Sequence, residues 1–400
     1  MQSIMEIYRI GNGPSSSHTI GPKLAAGRFR SENPSAEKYR VTLYGSLAAT
    51  GRGHLTDKAI VDALKPIPVD FIWKPETVFE IHPNAMVFEC VSAEGVSVSN
   101  RCYYSIGGGA IISEGEKLKA APVYRYDRMN DILDWCNQNG QPVWKYVLDS
   151  EGEDIFEYLA GAWVVMKESL SRGLETEGVL PGGLRLERKA RAFYYNARRS
   201  DPAAQKTGLL SAYALAVAEE NAAGGTVVTA PTCGSCGVMP SVLKILQETY
   251  DFPDEDIIKA LATAGLIGNI IKTNASISGA EVGCQGEIGS ACAMGAAAAA
   301  QLLGGSVYQI EYSAEMGMEH HLGLTCDPVM GLVQIPCIER NVFAAARAMT
   351  CAEYALLSDG RHRISFDEVV ETMRLTGHDL KSSYRETSKG GLAILGNPKA

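Results

Sequence analysis

The sequence has little that would direct the chain to a nucleic acid, a membrane or the cell exterior. No basic run interleaved with aromatic residues occurs, which argues against a nucleic-acid partner. The longest apolar run, 288–303, is diluted by Ser290, Gln301 and several glycines, so we predict a buried helix there and not a membrane span. The N-terminus lacks the charged start and apolar stretch of a secretory signal. From these absences we expect a soluble cytosolic protein with no membrane partner.

The chain is acidic, with a formal net charge of −9, and 46% of its 400 residues are hydrophobic. That length and composition are enough for two or three domains with buried cores. β-Branched runs alternate with turn signals up to about residue 145, with short helical patterns at 19–29 and 57–64 between them. We predict strands at 39–44, 69–73, 78–81 and 85–90.

Alanine- and leucine-rich helical patterns dominate the rest of the chain. They lie at 155–172, 208–223, 238–248, 254–269, 289–303, 340–357 and 367–376. Gly140, Pro142 and an acidic helix start near 149 mark a boundary. The sequence therefore predicts an α+β N-terminal domain over 1–145, followed by a mostly α-helical catalytic domain over 150–400.

Seven of the ten cysteines fall between Cys233 and Cys351, in segments broken by glycine and proline. A cytosolic chain keeps its thiols reduced, so metal binding or redox chemistry is a better explanation than disulfides. Cys284, Cys326 and Cys337 each have a loop-like context, but they are too far apart in sequence to form a compact pair of CxxC motifs. Cys233 and Cys236 form one CxxC before a helical pattern, which is compatible with a redox dithiol or with a structural or pocket-lining role, and which supplies only two of the four ligands of a zinc site.

A serine-rich segment, GPSSSHTIGP at 13–22, precedes a helical pattern that begins near Ile20. Hydroxyls and backbone N–H groups at a helix start can cradle an anion such as a carboxylate. Simple capping of the helix explains one serine and leaves a surplus. His18, in the same segment, and His54, in GRGHLTD, have side chains suited to proton transfer near neutral pH.

Several long motifs resemble those of the iron–sulfur-dependent L-serine dehydratases, with their β and α portions fused in one chain. The clearest are NASISGAEVGCQGEIGSACAMGAAAAA at 274–300 and EHHLGLTCDPVMGLVQIPCIERN at 319–341. GPSSSHTIGP, GRGHLTDKA at 51–59, TAPTCGSCGVMPSVL at 229–243 and ETSKGGLA at 386–393 are also similar, and they occur in the expected order. The resemblance covers nearly the whole chain.

This resemblance implies that Cys284, Cys326 and Cys337 bind a [4Fe-4S] cluster and that a homodimer converts L-serine, a small-molecule amino-acid substrate, into pyruvate and ammonia. Three thiolates leave one iron open, and that iron acts as a Lewis acid on the hydroxyl while a base removes the α-proton. We predict His18 as the base, with His54 as the second candidate. The predicted substrate-binding residues are Ser15, Ser16, Ser17, Thr19, Ser105, Thr232, Asn274, Ser276 and Lys389.

Two other functions stay open from the sequence. A cysteine desulfidase would use the same cluster chemistry to expel sulfide. A non-enzymatic iron–sulfur sensor would require a fully ligated cluster and a partner-binding surface. Pyridoxal phosphate is a competing cofactor for serine dehydration, but the lysines lack a recognisable pattern for it. One departure from the family concerns the tail, which ends GNPKA instead of near a cysteine able to reach the open iron.

Overall fold

The structure is a computed structural model that describes residues 1–92, 95–116 and 122–396. The strands are β1 (Ile10–Asn12), β2 (Tyr39–Tyr44), β3 (Val69–Lys74), β4 (Ala85–Val91), β5 (Ser97–Ser105), β6 (Ile111–Ser113) and β7 (Thr226–Val228). The α-helices of the N-terminal part are α1 (Gly21–Glu32), α2 (Gly45–Thr50) and α3 (Thr56–Leu64). A π-helical turn, Ser16–Ile20, leads directly into α1.

The N-terminal part contains a five-stranded sheet of order β3-β2-β4-β5-β6. β2 pairs in parallel with β3, with Tyr39 opposite Val69, and the remaining pairs are antiparallel. Helix α1 packs on the sheet through Phe29, whose ring centroid lies 5.6 Å from that of Phe88 in β4. Aromatic and aliphatic side chains from both elements are buried together in this small core.

The strand predicted at 78–81 is wrong, because 77–84 has no regular structure. Pro75 and Pro83 flank it, and each removes a backbone donor that a strand would need. Val78 and Ile81 point to solvent, whereas Phe79 packs against Tyr44 with ring centroids 4.9 Å apart. The sequence prediction also missed β5 and β6, which extend the sheet.

The rest of the chain is mostly helical. The helices are α4 (Met129–Asn139), α5 (Val143–Glu151), α6 (Asp154–Glu175), α7 (Ala190–Ala197), α8 (Pro202–Ala222), α9 (Val238–Tyr250), α10 (Asp254–Asn274), α11 (Gly279–Val282), α12 (Ser290–Leu302), α13 (Val307–Glu319), α14 (Cys337–Leu356), α15 (Phe366–Asp379) and α16 (Leu392–Leu395). The predicted fold class, an α+β part followed by a mostly helical part, is confirmed. In the described part of the chain, no helix has the length and hydropathy required to cross a bilayer.

Helix α12 is the buried helix predicted from the alanine-rich run. It packs among α9, α10, α13 and α14, and nearly all of its residues are inaccessible to solvent. Small side chains make this possible: a Cβ added at Gly317 of α13 would lie 2.8 Å from the Cα of Ala293. This close packing holds the N-terminal end of α12, which follows Cys284, in a fixed position.

The two parts of the chain are packed together. β1 pairs antiparallel with β7, and the Tyr8 hydroxyl donates a hydrogen bond of 2.8 Å to the Leu261 carbonyl in α10. Ile4 and Met129 belong to the large helical core although both precede the predicted boundary. The division into units 1–145 and 150–400 stays a prediction, while the packing fixes how the two parts face each other at the site.

Candidate active site

A narrow cavity lies where the two parts of the chain meet, and both contribute to its walls. Pro14, Ser15 and His54 come from the N-terminal part. The lining from the helical part consists of Gly234, Cys284, Glu287, Cys326, Pro328, Val333, Cys337 and Glu386. The structure thus brings the three predicted cysteines to one cavity together with a predicted histidine and a predicted serine.

Cys284 is placed by a sharp turn at the entry to α12. Gly283 has φ +74, and a Cβ there would lie 2.7 Å from the Leu324 carbonyl oxygen. Only glycine allows both the left-handed backbone and this close approach. The π-helical turn Gln285–Gly289 follows, so the cysteine stands at the junction of a tight loop and a buried helix.

Cys326 and Cys337 lie at the two ends of one loop. The Cys326 N–H donates to the Tyr384 carbonyl and the Glu386 N–H donates to the Cys326 carbonyl, both at 2.8 Å. Cys337 follows Pro336 and begins α14. Cys284 and Cys326 are buried and Cys337 is half-buried. The backbone pairing at Cys326 draws the C-terminal segment against the thiol cluster.

The electrostatics of the cysteines depend on Arg340. Burial raises the pKa of the Cys284 thiol to about 11, and the nearby guanidinium of Arg340 opposes that rise. The pKa values of Cys326 and Cys337 are also raised by burial. Arg340 is held in place by an Nη1 bond of 2.7 Å to the Thr325 carbonyl. A fixed cation beside three thiols lowers the cost of their thiolate forms.

Glu287, three residues after Cys284, also lines the cavity. Its Oε1 accepts a hydrogen bond of 2.9 Å from the Thr232 hydroxyl, and the Cys326 Sγ lies 3.9 Å from its Oε2. Burial raises the pKa of the Glu287 carboxyl. Thr232, predicted to bind substrate, is thus engaged with a carboxylate at the edge of the cavity.

His18, His54 and Glu386 form a buried group whose nitrogen and carboxylate oxygen atoms all lie within 4.8 Å of one another. The His18 Nδ1 is 2.9 Å from the Ser17 Oγ and 3.5 Å from the Glu386 Oε1, and its Nε2 is 3.1 Å from the Ser46 Oγ. Both ring nitrogens of His18 are therefore engaged by protein atoms.

His54 differs from His18 because its ring lines the cavity and its Nδ1 has no hydrogen-bond partner among the described residues. The same holds for the Glu386 Oε2. Burial lowers the pKa of His54 well below 6.5 and that of His18 to about 4, so both rings are neutral at pH 7. These two buried atoms therefore keep free hydrogen-bonding capacity at the site.

Glycine brings the His54 loop close to the cysteine loop. A Cβ added at Gly53 would lie 2.4 Å from the Gly331 carbonyl oxygen, between Cys326 and Cys337. The Thr19 hydroxyl donates a hydrogen bond of 2.7 Å to the His54 carbonyl. The backbone of His54 is thus held in place, while the Nδ1 of its ring has no partner in the described part of the chain.

The serine-rich segment has a mixed role. The Ser15 Oγ accepts from the His18 N–H at 3.1 Å, which is helix capping, and Ser15 also lines the cavity. Ser17 contacts the His18 ring, and the Ser105 hydroxyl donates a bond of 2.7 Å to the Ser17 carbonyl. Ser16 is buried beside them. The segment therefore both positions His18 and offers one hydroxyl to the cavity.

Of the predicted substrate-binding residues, Ser15 alone lines the cavity in the described part of the chain, and three of the others are engaged elsewhere. The Asn274 Nδ2 donates a hydrogen bond of 2.7 Å to the Asp127 carbonyl, and the Ser276 hydroxyl donates to Glu281. The Lys389 Nζ pairs with the Glu76 carboxylate at 3.1 Å on the surface. The structure does not bring these side chains together with the cysteines.

The CxxC pair is buried but is not part of the cavity wall. Gly234, between Cys233 and Cys236, lines the cavity, whereas the Cys236 Sγ lies 3.9 Å from the Val217 carbonyl oxygen in α8. Burial raises the pKa of both thiols, so neither has the character of a reactive thiolate. This favours a structural role for the pair.

The donor set fits an iron–sulfur cluster. Protein clusters are held by cysteine thiolates, and here three thiols share one cavity beside a cation that favours their ionised form. His18, His54 and Glu386 are a second donor group, of the harder imidazole and carboxylate type.

Sequence reasoning missed Glu287, Glu386 and Arg340. Each lies in a motif that had been singled out for another residue: Glu287 after Cys284, Arg340 after Cys337, and Glu386 before Lys389. Acidic and basic residues are common on helix surfaces, so their type alone gave no signal. Their proximity to predicted cysteines was the available clue.

Two family models match the chain. The model described as Serine dehydratase alpha chain matches residues 82–393, and the one described as Serine dehydratase beta chain matches residues 3–69. The alpha-chain match thus begins before β4 and includes all three cavity cysteines.

Curated relatives match over nearly their full length. The chain is 42% identical to L-serine dehydratase of Streptomyces coelicolor over 448 residues, with 98% of each chain covered. It is 40% identical over 450 residues to L-serine dehydratase of Haemophilus influenzae and to L-serine dehydratase 1 of Escherichia coli. In both cases the match covers 98% of this chain and 99% of the relative.

Proposed function

The chain belongs to the serine dehydratase family, and from that premise we propose that it is an L-serine ammonia-lyase that converts L-serine into pyruvate and ammonia. We further propose that Cys284, Cys326 and Cys337 hold a [4Fe-4S] cluster. The observation that carries this proposal is the single cavity that these three thiols share with His54, Ser15 and Glu386.

The residues that would hold the cluster are the three cysteines, with Arg340 balancing their negative charge. When bound through three thiolates, such a cluster supplies an open iron that acts as a Lewis acid toward the hydroxyl of serine. The remaining requirements of the reaction fall on the chain's own side chains: binding the substrate, excluding water and moving the α-proton.

We assign removal of the α-proton to His54. Its ring lines the cavity and its Nδ1 has no protein partner in the described part of the chain. A neutral imidazole accepts a proton. Burial and the nearby Glu287 raise the pKa of the Glu386 carboxyl well above its usual range, and this side chain, in the same buried group, can accept a hydrogen bond from the imidazolium that forms. The sequence favoured His18, but both of its ring nitrogens are engaged, so we assign it to positioning His54 and Glu386.

Substrate orientation falls on the serine-rich segment. Ser15 lines the cavity together with the three cysteines, and its hydroxyl can donate a hydrogen bond to the carboxylate of the substrate. The cavity is enclosed by both parts of the chain, which excludes water and strengthens charge interactions inside it. A cytosolic location and a homodimer remain our predictions for the protein.

The first experiment is anaerobic reconstitution of the full chain with iron and sulfide, followed by visible absorption and a pyruvate assay with L-serine. We expect a brown protein that forms pyruvate and loses activity in air. Cys284→Ala should lose absorption and activity together. Cys136→Ala, at a buried position in α4 away from the cavity, is the matched control and should keep both.

Each alternative has its own outcome in that experiment. A colourless protein with full activity would refute the cluster and favour pyridoxal phosphate. A fully loaded protein that ignores L-serine but releases sulfide from L-cysteine would identify a desulfidase. A loaded protein inert toward both would leave the sensor function.

A further inference from the structure

A second, larger cavity lies away from the cysteines. It is a groove of about 760 Å³ between α13 and α14, and His362, Arg363 and Ile364 of the following loop also line it. That volume is in the range of small-molecule binding sites. Aromatic rings form much of its wall: Tyr312 on α13, and Phe343 and Tyr354 on α14. Phe343 and Tyr354 are 72% and 57% exposed, so the groove opens to solvent.

An acidic side chain without a partner lies in this groove. Glu315 is only 4% exposed and lines the groove, yet it makes no hydrogen bond or ion pair with any described residue. Glu311, one turn earlier on the same helix, shows the ordinary arrangement. Its Oε2 lies 2.6 Å from the His362 Nε2 and its Oε1 accepts from the Phe366 N–H at 2.7 Å.

The neighbouring cations do not neutralise Glu315. His362 is already paired with Glu311 and is stacked against Tyr312, with ring centroids 4.2 Å apart. Arg347 and Arg363 line the groove but form no ion pair of 4 Å or less in the described part of the chain. The carboxylate oxygens of Glu315 are not among the fully enclosed unpartnered atoms, so they open to the groove, where a cation from outside the chain can pair with them.

We propose that the groove binds a small molecule through a primary ammonium group, which pairs with Glu315 while an apolar portion packs on Tyr312, Phe343 and Tyr354. An ammonium ion is attracted both to the carboxylate and to the faces of the surrounding rings. Two kinds of ligand carry this group, a simple amine and a zwitterionic amino acid. Arg347, on the opposite wall, would pair with the carboxylate of the second kind.

The test uses isothermal titration calorimetry on the full chain with phenethylamine, L-phenylalanine and 3-phenylpropionate. We expect the ammonium compounds to bind and the propionate, which lacks an ammonium group, not to bind. Glu315→Gln should weaken binding about ten- to a hundredfold, because a charge-assisted hydrogen bond is lost. Glu319→Gln, at a half-exposed carboxylate of the same groove, is the matched control and should change affinity less than about threefold.

Two further variants sharpen the result. If the ligand is an amino acid, Arg347→Gln should weaken the binding of L-phenylalanine and leave that of phenethylamine unchanged. If the ligand is a simple amine, the substitution should change the binding of neither compound. Tyr354→Ala, at an exposed position, should weaken both and keeps the proposal testable if Glu315→Gln fails to fold. Failure of every ammonium probe to bind, or equal binding by wild type and Glu315→Gln, would overturn the proposal.

A second copy of the chain is the competing occupant. Sedimentation of wild type and Glu315→Gln separates the two explanations. If the substitution dissociates an oligomer and no ammonium probe binds, Glu315 pairs with a cation of another copy and the ligand proposal is wrong. If Glu315→Gln keeps the oligomeric state of the wild type but no longer binds the ammonium probes, the ligand proposal is supported. Neither result depends on the reaction at the cysteine cavity.

Discussion

The carboxylate of Glu386 lies 3.5 Å from the Nδ1 of His18, which joins the C-terminal segment to the serine-rich segment near the N-terminus. Two hydrogen bonds to the main chain of Glu386 hold this contact in place. The Ser46 hydroxyl donates to the Glu386 carbonyl at 2.8 Å, and the Glu386 N–H donates to Cys326. The site is therefore complete only when the C-terminal segment is docked between the two parts of the chain.

Glu386→Gln should distinguish the role of Glu386 in docking the C-terminal segment from its role in proton transfer. The main-chain bonds remain, so the cluster and its absorption should be retained. The ionisable carboxyl beside the histidine is replaced by an amide that cannot take or give up a proton, and we expect kcat to fall about a hundredfold. Steady-state kinetics under anaerobic conditions measure the change. Glu76→Gln, at an exposed surface carboxylate, should leave kcat unaltered. Retention of full activity by the Glu386 variant would refute its assigned role.

His54→Gln should abolish turnover with little effect on cluster content, because the residue accepts the α-proton. We expect a loss of about a thousandfold in kcat. Exchange of the α-proton of L-serine with deuterated solvent should disappear with it. His18→Gln should be less damaging, since that ring positions its neighbours. His378→Gln, at an exposed position, serves as control. If the two effects were reversed, His18 would be the base.

Arg340→Gln should weaken retention of iron. The guanidinium opposes the rise in the pKa of Cys284 that burial causes, so its loss disfavours the thiolates. Substitutions that alter the surroundings of metal ligands commonly cost about ten- to a hundredfold in affinity. Iron per chain after dialysis against a chelator measures the effect. Arg374→Gln, in an exposed pair with Glu371, should keep the wild-type content.

Gly283→Ala should destabilise the loop that carries Cys284. The residue has φ +74, and its new methyl group would lie 2.7 Å from a carbonyl oxygen. Gly304→Ala is the matched comparison, since Gly304 has φ +85 with nothing within 4 Å of the added atom. Both substitutions cost backbone strain, but Gly283, at ψ −170, lies in a region open essentially to glycine alone, so Gly283→Ala should lose about 2 kcal/mol more from strain and clash together. Urea unfolding gives the difference, and equal losses would contradict it.

Glu315→Gln should stabilise the fold above neutral pH. Burial, followed by the charge of Glu319, raises the pKa of Glu315 from 4.5 to about 7. The folded state therefore holds a proton that the unfolded state has lost between about pH 4.5 and 7, and stability falls as the pH rises through that window. Above pH 7 the variant should be more stable by about 2 kcal/mol.

The groups around Glu315 define the control for that measurement. Glu311, Glu319, His362, Arg347 and Arg363 all face the groove or its floor, and each is unchanged in the variant. Unfolding free energies of wild type and variant at pH 5 and pH 8 should thus diverge only at the higher pH. A constant difference across that range would show that ionisation of Glu315 is not responsible.

Local sequence pattern predicted much of the fold. The strand predicted at 39–44 and the helices predicted near 238–248 and 289–303 appear close to those bounds, because alternation and helical periodicity are properties of a single segment. β5 was missed because its first five residues alternate weakly and face solvent. The segment 78–81 has residues typical of strands, but Pro75 and Pro83 beside it lack the backbone N–H groups that strand pairing requires.

Residue identity set the chemistry available to this protein: three cysteines in glycine- and proline-bounded loops, two candidate histidines, and a family resemblance along nearly the whole chain. Which of these side chains meet depended on how distant segments pack. His54 lines the cavity while His18 is enclosed, Glu386 and Arg340 join the site, and Lys389 pairs elsewhere with Glu76. The reason is physical: residue type and local period fix what a segment can form, whereas proximity across the chain depends on how separate segments pack.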